Sequence, residues 1–317
     1  MRLGATEVVT KRPTLSPFRA TLTVAWRRAH LVWTQIYHSR NAMAGLVILL
    51  FFTVLAVAGP WIAPYGPMQS VGDTTCSRLQ VPATYLQPPC GAHPLGTNYF
   101  SDDIYSQVIW GTQISFIVGI ASAVVATVVG TGMGLISGYV GGWIDEVLMR
   151  FNDVVLSIPW LVLMIVVAAK VGVVDLTGVI LVIGLTGWSV TARVIRTQVL
   201  SIKERMFVER AKMIGTPSSR ILLRHIFPNA FPLIFANTIL TIAISILSES
   251  VLAFLGLRPP DTVSWGRIIA EAIENDAVLY NAWWLIIPGL CIVFLVFGFY
   301  LFGYALDEIL NPRLRRR

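Results

Sequence analysis

Between Ile114 and Ser137 the chain carries no charged side chain. That run exceeds the ~20 apolar residues that take a helix across a bilayer core. It is one of six. Apolar stretches at 42–63, 112–137, 150–169, 177–198, 231–257 and 283–306 reach or approach spanning length. Only 13% of the 317 residues are charged, 55% are hydrophobic, and the mean hydropathy is +0.70. A soluble domain of this size cannot bury so much apolar surface. Water-soluble enzymes, disordered chains and disulfide-stapled secreted domains are excluded. The expected fold class is an all-α polytopic membrane protein with six transmembrane helices.

The charges set an orientation for those spans. Six crossings put both termini on one side, and cytoplasmic loops collect Lys and Arg. Twenty of the 24 Lys and Arg fall on the side that holds the termini; only Arg78, Lys170, Arg258 and Arg267 fall on the other. Both termini are therefore expected in the cytoplasm, in a multi-pass cell (inner) membrane protein. The net charge of +7 follows from topology and needs no nucleic acid. The first 40 residues show no short apolar core with a small-residue cleavage site.

This orientation divides the chain into a basic cytoplasmic segment 1–41, a first span 42–63, an extracytoplasmic loop 64–111, a core of five spans over 112–306 and a cytoplasmic tail 307–317. Trp26, Trp33 and Tyr37 lie among Arg27, Arg28 and His30, and that mixture over 22–38 suits a helix lying in the headgroup layer. A cytoplasmic loop over 199–230 is too long for a bare connector.

Catalytic signatures are absent. There is no GxxxxGK[ST] and no Gly-Lys pair anywhere, and neither HExxH nor GxSxG occurs. His30, His38, His93 and His225 are scattered. The glycines of Gly130-Thr131-Gly132-Met133-Gly134 sit inside an apolar span with no strand before them, which disfavours a nucleotide loop. Ser122, Ala126, Gly130, Gly134 and Gly138 recur every four residues and make one helix face of small side chains, suited to close helix packing. Acids within a membrane are costly and commonly functional. Glu249 in the fifth span and Asp153 near the inner end of the third are candidates to line a pathway. For Glu249 an inter-helix hydrogen bond or a water-filled vestibule contact is the favoured alternative. One such acid is thin equipment for a proton relay, which counts against a stand-alone ion-coupled secondary transporter.

The cytoplasmic loop carries the functional signal. Val208-Glu209-Arg210-Ala211-Lys212-Met213-Ile214-Gly215 is helix-compatible, and Gly215-Thr216-Pro217 ends it with a turn. A short exposed helix between two spans can dock on a soluble partner and pass on rigid-body motion. The spacing of Glu209, Ala211, Gly215 and Pro228 resembles the EAA loop of ABC-importer permeases, with Arg210 in place of the usual middle Ala. Further blocks sharpen the likeness: Trp61-Ile62-Ala63-Pro64-Tyr65, His93-Pro94-Leu95-Gly96-Thr97, Ser137-Gly138-Tyr139-Val140-Gly141-Gly142-Trp143-Ile144-Asp145, Phe254-Leu255-Gly256-Leu257, Ser264-Trp265-Gly266 and Asn311-Pro312-Arg313-Leu314. Together they resemble the C-type permease of the dipeptide/oligopeptide/nickel ABC importers over about residues 40–317. Ser101-Asp102-Asp103 stands where that family usually reads Gly-Arg-Asp, which puts an acid in place of a cation in a segment expected on the outer surface.

The resemblance implies a type I importer permease. It would work with a B-type sister permease, two cytoplasmic ABC ATPase subunits or domains, and an extracellular or periplasmic peptide-binding protein. No cofactor is expected on this chain, since ATP and Mg would bind the ATPases. Glu209, Arg210, Ala211 and Gly215 would couple ATP hydrolysis to transport of di- or oligopeptides, with nickel, another metal chelate or a small solute as alternative cargo. Cys76 and Cys90 share the outer loop, an oxidising location. They are expected to form a disulfide worth ~3 kcal/mol for a loop of about 15 residues, two free thiols being the alternative. Cys291 reads as a small apolar residue in the sixth span.

Overall fold

The structure, a computed structural model, describes residues 32–72, 86–172, 175–276 and 283–310. Its first span is α1 (Arg40–Ile62), which starts where the Ser39 hydroxyl accepts from the Ala42 amide. Residues 32–38 just before it are helical; the rest of the expected interfacial helix lies outside the described residues. The second span, α2 (Ile104–Val140), starts eight residues earlier than the apolar run suggests. Asp103 caps it, its carboxylate accepting from the Ser106 amide at 2.8 Å. At 37 residues it is about 55 Å long, well beyond the ~30 Å apolar core of a bilayer.

The next two spans are broken. The apolar run 150–169 is not one straight helix but α3 (Gly142–Ser157) and α4 (Trp160–Val171), bent by 89°. Pro159 lies at the break and forces the preceding Ile158 into extended backbone. Likewise α5 (Leu176–Thr186) and α6 (Trp188–Lys203) meet at 43° around Gly187. A side chain at Gly187 would approach the Ile183 carbonyl oxygen at 3.0 Å.

Much of the expected inner loop 199–230 is helix. After α7 (Met206–Met213), α8 (Ser218–Phe254) runs unbroken for 37 residues. It holds one π turn, Leu222–Ile226, where the Phe227 amide reaches back to the Leu222 carbonyl. Pro228 has no amide to return to the Arg224 carbonyl and would crowd it. Widening the preceding turn relieves that crowding, and the Asn229 side chain donates to the His225 carbonyl at 2.7 Å. Two more helices follow: α9 (Trp265–Glu274), not expected from hydropathy, and the final span α10 (Trp283–Leu310). Four helices are long and apolar enough to cross a membrane, and the two bent pairs bring the total to six if each is one span.

Close packing explains the order of the bundle. α1 lies on α10, where a side chain at Gly45 would meet the Gly298 carbonyl oxygen at 2.8 Å. α9 is pinned by Trp265, fully buried, whose indole N–H donates to the Val108 carbonyl at 2.9 Å and whose ring meets Phe52 edge-on. The small face of α2 seats the fourth span along its length. Side chains added at Gly130, Gly134 and Gly138 would fall 2.6 Å from the Trp188 oxygen, 2.6 Å from the Ala192 oxygen and 2.9 Å from the Val199 Cβ. Ser122 and Ala126 continue that face towards Gly184 and Gly187 on the other half of the span.

Candidate functional site

The end of the bundle expected to face the cytoplasm presents a small, firmly seated helical unit. α6 ends at Lys203, and after Glu204 and Arg205 the chain turns into α7. Val208 and Ala211, three residues apart, form the inward face of α7 and are buried in a cluster with Tyr139, Ile195, Val199, Ile202, Ile221 and Ile226. The helix is closed by a Schellman motif. The Thr216 amide bonds to the Ala211 carbonyl at 3.1 Å and the Gly215 amide to the Lys212 carbonyl at 2.9 Å. Gly215 holds φ +75°, a left-handed conformation that a side chain would strain, and Pro217 follows as the cap of α8.

Opposite the seat lies a mixed outward face. Glu209 and Arg210 are exposed, and among the described residues neither has an ion-pair partner. Around them stand Met206, Phe207, Met213 and Ile214, the last two 77% and 81% exposed. Of the residues expected to couple, Glu209 and Arg210 therefore face out, Ala211 faces in, and Gly215 sets the turn. The four apolar side chains were not legible as a group in the sequence. Their signal is that they flank the inward Val208 and Ala211 on a helix of only eight residues.

A second polar cluster, also missed by sequence reading, sits where α2, α3 and α6 converge. The Arg196 guanidinium donates through Nε to Asp145 Oδ1 and through Nη2 to Asp145 Oδ2, both at 2.6 Å. The Ser137 hydroxyl donates to the same Oδ1. Nearby Lys203 lies 5.8 Å from the Tyr139 ring centroid. Asp153, the other candidate to line a pathway, pairs with Arg193 at 2.6 Å, both side chains more than half exposed. Such an exposed pair contributes little. Glu249 is buried, with Ser115 and Ser250 hydroxyls 3.5 Å from Oε2 and Ser264 as a further partner. The adjoining space of about 10 Å³ has room for about one water. Ser115 and Ser264 bring hydroxyls to Glu249 from outside its own helix, while Ser250 is its chain neighbour.

At the opposite end, expected to face outwards, residues 86–107 fold into a polar knot over the start of α2. His93 Nδ1 lies 3.0 Å from Asp103 Oδ1, both side chains buried. Asp102 is not on the outer surface, as its place in the sequence suggested. It is buried, accepting from the side chains of Asn98 and Gln107 at 3.0 Å. Ser101 before it holds φ +65°. Cys90 is disulfide-bonded; Cys76 lies outside the described residues, and Cys291 is free and partly buried in α10.

Comparison with known proteins gives consistent matches. Residues 130–316 match the family described as binding-protein-dependent transport system inner membrane component. Residues 25–89 match the N-terminal TM domain of oligopeptide transport permease C. The dipeptide transport system permease protein DppC of Bacillus subtilis is 33% identical over 286 residues, covering 90% of this chain and 85% of that protein. The oligopeptide transport system permease protein OppC of the same organism is 32% identical over 292 residues, 92% of this chain and 90% of the relative. OppC of Mycobacterium tuberculosis is 33% identical over 291 residues, 91% and 96%. A solved structure of the MetNI methionine ABC transporter in inward-facing conformations shares the fold. It has a TM-score of 0.53 and 18% identity, covering 65% of this chain and 95% of that one.

Proposed function

Since this chain belongs to the inner-membrane components of binding-protein-dependent transport systems, with the C-type permeases of the peptide importers, we propose that it forms half of the membrane pathway of an ATP-driven peptide importer. A B-type sister permease supplies the other half, and two cytoplasmic ATPase subunits or domains bind the ATP and Mg. An extracytoplasmic binding protein delivers di- or oligopeptides. The chain performs no chemistry itself; its task is to change shape when the ATPases do.

The observation that carries this reading is the outward face of α7. An exposed Glu209 and Arg210 ringed by Met206, Phe207, Met213 and Ile214 has the composition of a protein-docking patch, with charges for register and apolar side chains for burial. Its inward face is locked to the spans by Val208 and Ala211, so a push on α7 reaches α6 and α8 instead of being absorbed by a slack loop. Glu209 pairs with a cation of the ATPase.

The test is a Glu209→Arg chain reconstituted with its partners. Truncating or reversing an interfacial charge commonly costs several kcal/mol, so peptide uptake per ATP hydrolysed is expected to fall roughly tenfold or more at normal expression. Wild-type uptake would overturn the coupling role. Purification of the chain alone, under conditions that keep such complexes intact, would overturn the importer and favour a stand-alone transporter. Uptake of a nickel chelate or small solute in place of peptide would reassign the cargo only.

A further inference from the structure

We propose that the Ser137–Asp145–Arg196 cluster is a latch through which the docking unit drives the α3 limb, making Asp145 and Arg196 positioning residues for transport. This rests on the importer reading above and assigns a route for the motion within it.

α3 has a light hold on the bundle. Of its 16 residues only Asn152 is buried, and it packs on α6 and on the end of α2, to which it is joined. Both of its ends are jointed. At the front, Gly141 and Gly142 hold φ +72° and +58° in succession, a pair of left-handed residues that only glycine adopts without strain. At the back is the 89° bend at Pro159. A helix mounted between two joints goes wherever its side contacts take it.

Those side contacts are few and unequal. Phe151 stacks on Trp188 with ring centroids 5.9 Å apart, and Asp153 meets Arg193 where both side chains are more than half exposed. The Asp145–Arg196 pair is different. It is two-pronged, with side chains 16% and 29% exposed, and Ser137 adds a third bond from across the glycine joint. Charge-assisted, forked bonds of this kind hold both direction and distance. Ser137 belongs to α2, Asp145 to α3 and Arg196 to α6, so one cluster sets the angle of the joint and ties it to the docking unit. When the ATPases displace α7, α6 moves with it and Arg196 draws Asp145 along. α3 then swings about Gly141–Gly142 and Pro159, while the glycine face of α2 keeps the fourth span in register.

The test uses the complete reconstituted complex, with Cys291→Ala as background and spin labels at Glu146→Cys on α3 and Ser201→Cys on α6, both exposed and outside the docking patch. In the parent the distance between labels is expected to stay constant between the nucleotide-free and vanadate-trapped states, because the two helices travel together. In Asp145→Asn and in Arg196→Lys, which keeps the charge but loses the fork, that distance is expected to change between states. Uptake per ATP should fall roughly tenfold, as when a charge-assisted hydrogen bond is weakened. Exchanging the partners, Asp145→Arg with Arg196→Asp, should restore part of both readouts. Parental distances and uptake in the two single variants would overturn the latch, as would failure of both to assemble, which would mark the pair as purely structural. A parent complex without ATP-driven uptake would overturn the importer reading and the latch with it, a result visible before any substitution is made.

Discussion

Gly132 and Gly134 sit two residues apart on α2 and should respond to the same substitution with opposite signs. A side chain at Gly132 meets nothing within 4 Å, whereas one at Gly134 would fall 2.6 Å from the Ala192 carbonyl oxygen and 2.9 Å from the Ile195 Cβ. Alanine is favoured over glycine in a helix by ~1 kcal/mol, so Gly132→Ala should raise the melting temperature in detergent. Gly134→Ala must separate two backbones, and overpacking of that kind costs about 1–3 kcal/mol, so its melting temperature should fall. Equal shifts for the two would refute the packing assignment. The small face was legible because its residues recur at helical spacing. The Asp145–Arg196 pair was not, because 51 residues separate the partners and neither lies in a pattern that names the other. Glu249 was legible as an acid within a span, but not as one already ringed by serines.

At the scale of elements, hydropathy located the spans and missed their breaks, since a bend leaves composition unchanged. Pro159 stood in the run as the one local sign of the 89° turn, and Gly187 marked the other. The outer knot was invisible to hydropathy altogether, because it is built from buried polar groups that read as solvent-facing. Asp102 makes its behaviour testable. Burial lifts the Asp102 carboxyl above the usual aspartate range, while the hydrogen bond from Asn98 and the charge of Arg267 partly oppose the lift. The folded knot therefore holds this proton more tightly than the unfolded chain does, and its stability falls as pH rises from ~4 through the raised value. Amide exchange over residues 97–107, corrected for the intrinsic rate, should show protection declining across that window and levelling off above it. Asp102→Asn should flatten the profile; a wild-type slope in that variant would discard the explanation.

For the whole molecule, the charge asymmetry makes a single claim about sidedness. Phe100 lies exposed beside the outer knot and Glu146 lies exposed near the docking unit. In intact cells carrying Cys291→Ala, a membrane-impermeant maleimide should modify Phe100→Cys directly and Glu146→Cys only after permeabilisation. The reverse pattern would invert the topology and move α7 away from any cytoplasmic ATPase. Neither outcome depends on cargo, because sidedness follows from the placement of Lys and Arg alone.

The π turn at Leu222–Ile226 has a consequence for how this molecule tolerates change in length. One extra residue wound into a helix advances everything beyond it by about 100° around the axis. In α8 that residue lies between the part that crosses the bundle and the part that meets the docking unit. The π turn takes that residue up within one widened turn and so keeps both ends of α8 in angular register, whereas removing a residue from the regular helix on either side would turn the docking plate by more than a quarter of a revolution relative to the spans. The widened turn is therefore an angular setting, and a residue lost from it would bring Pro228 back against the preceding turn.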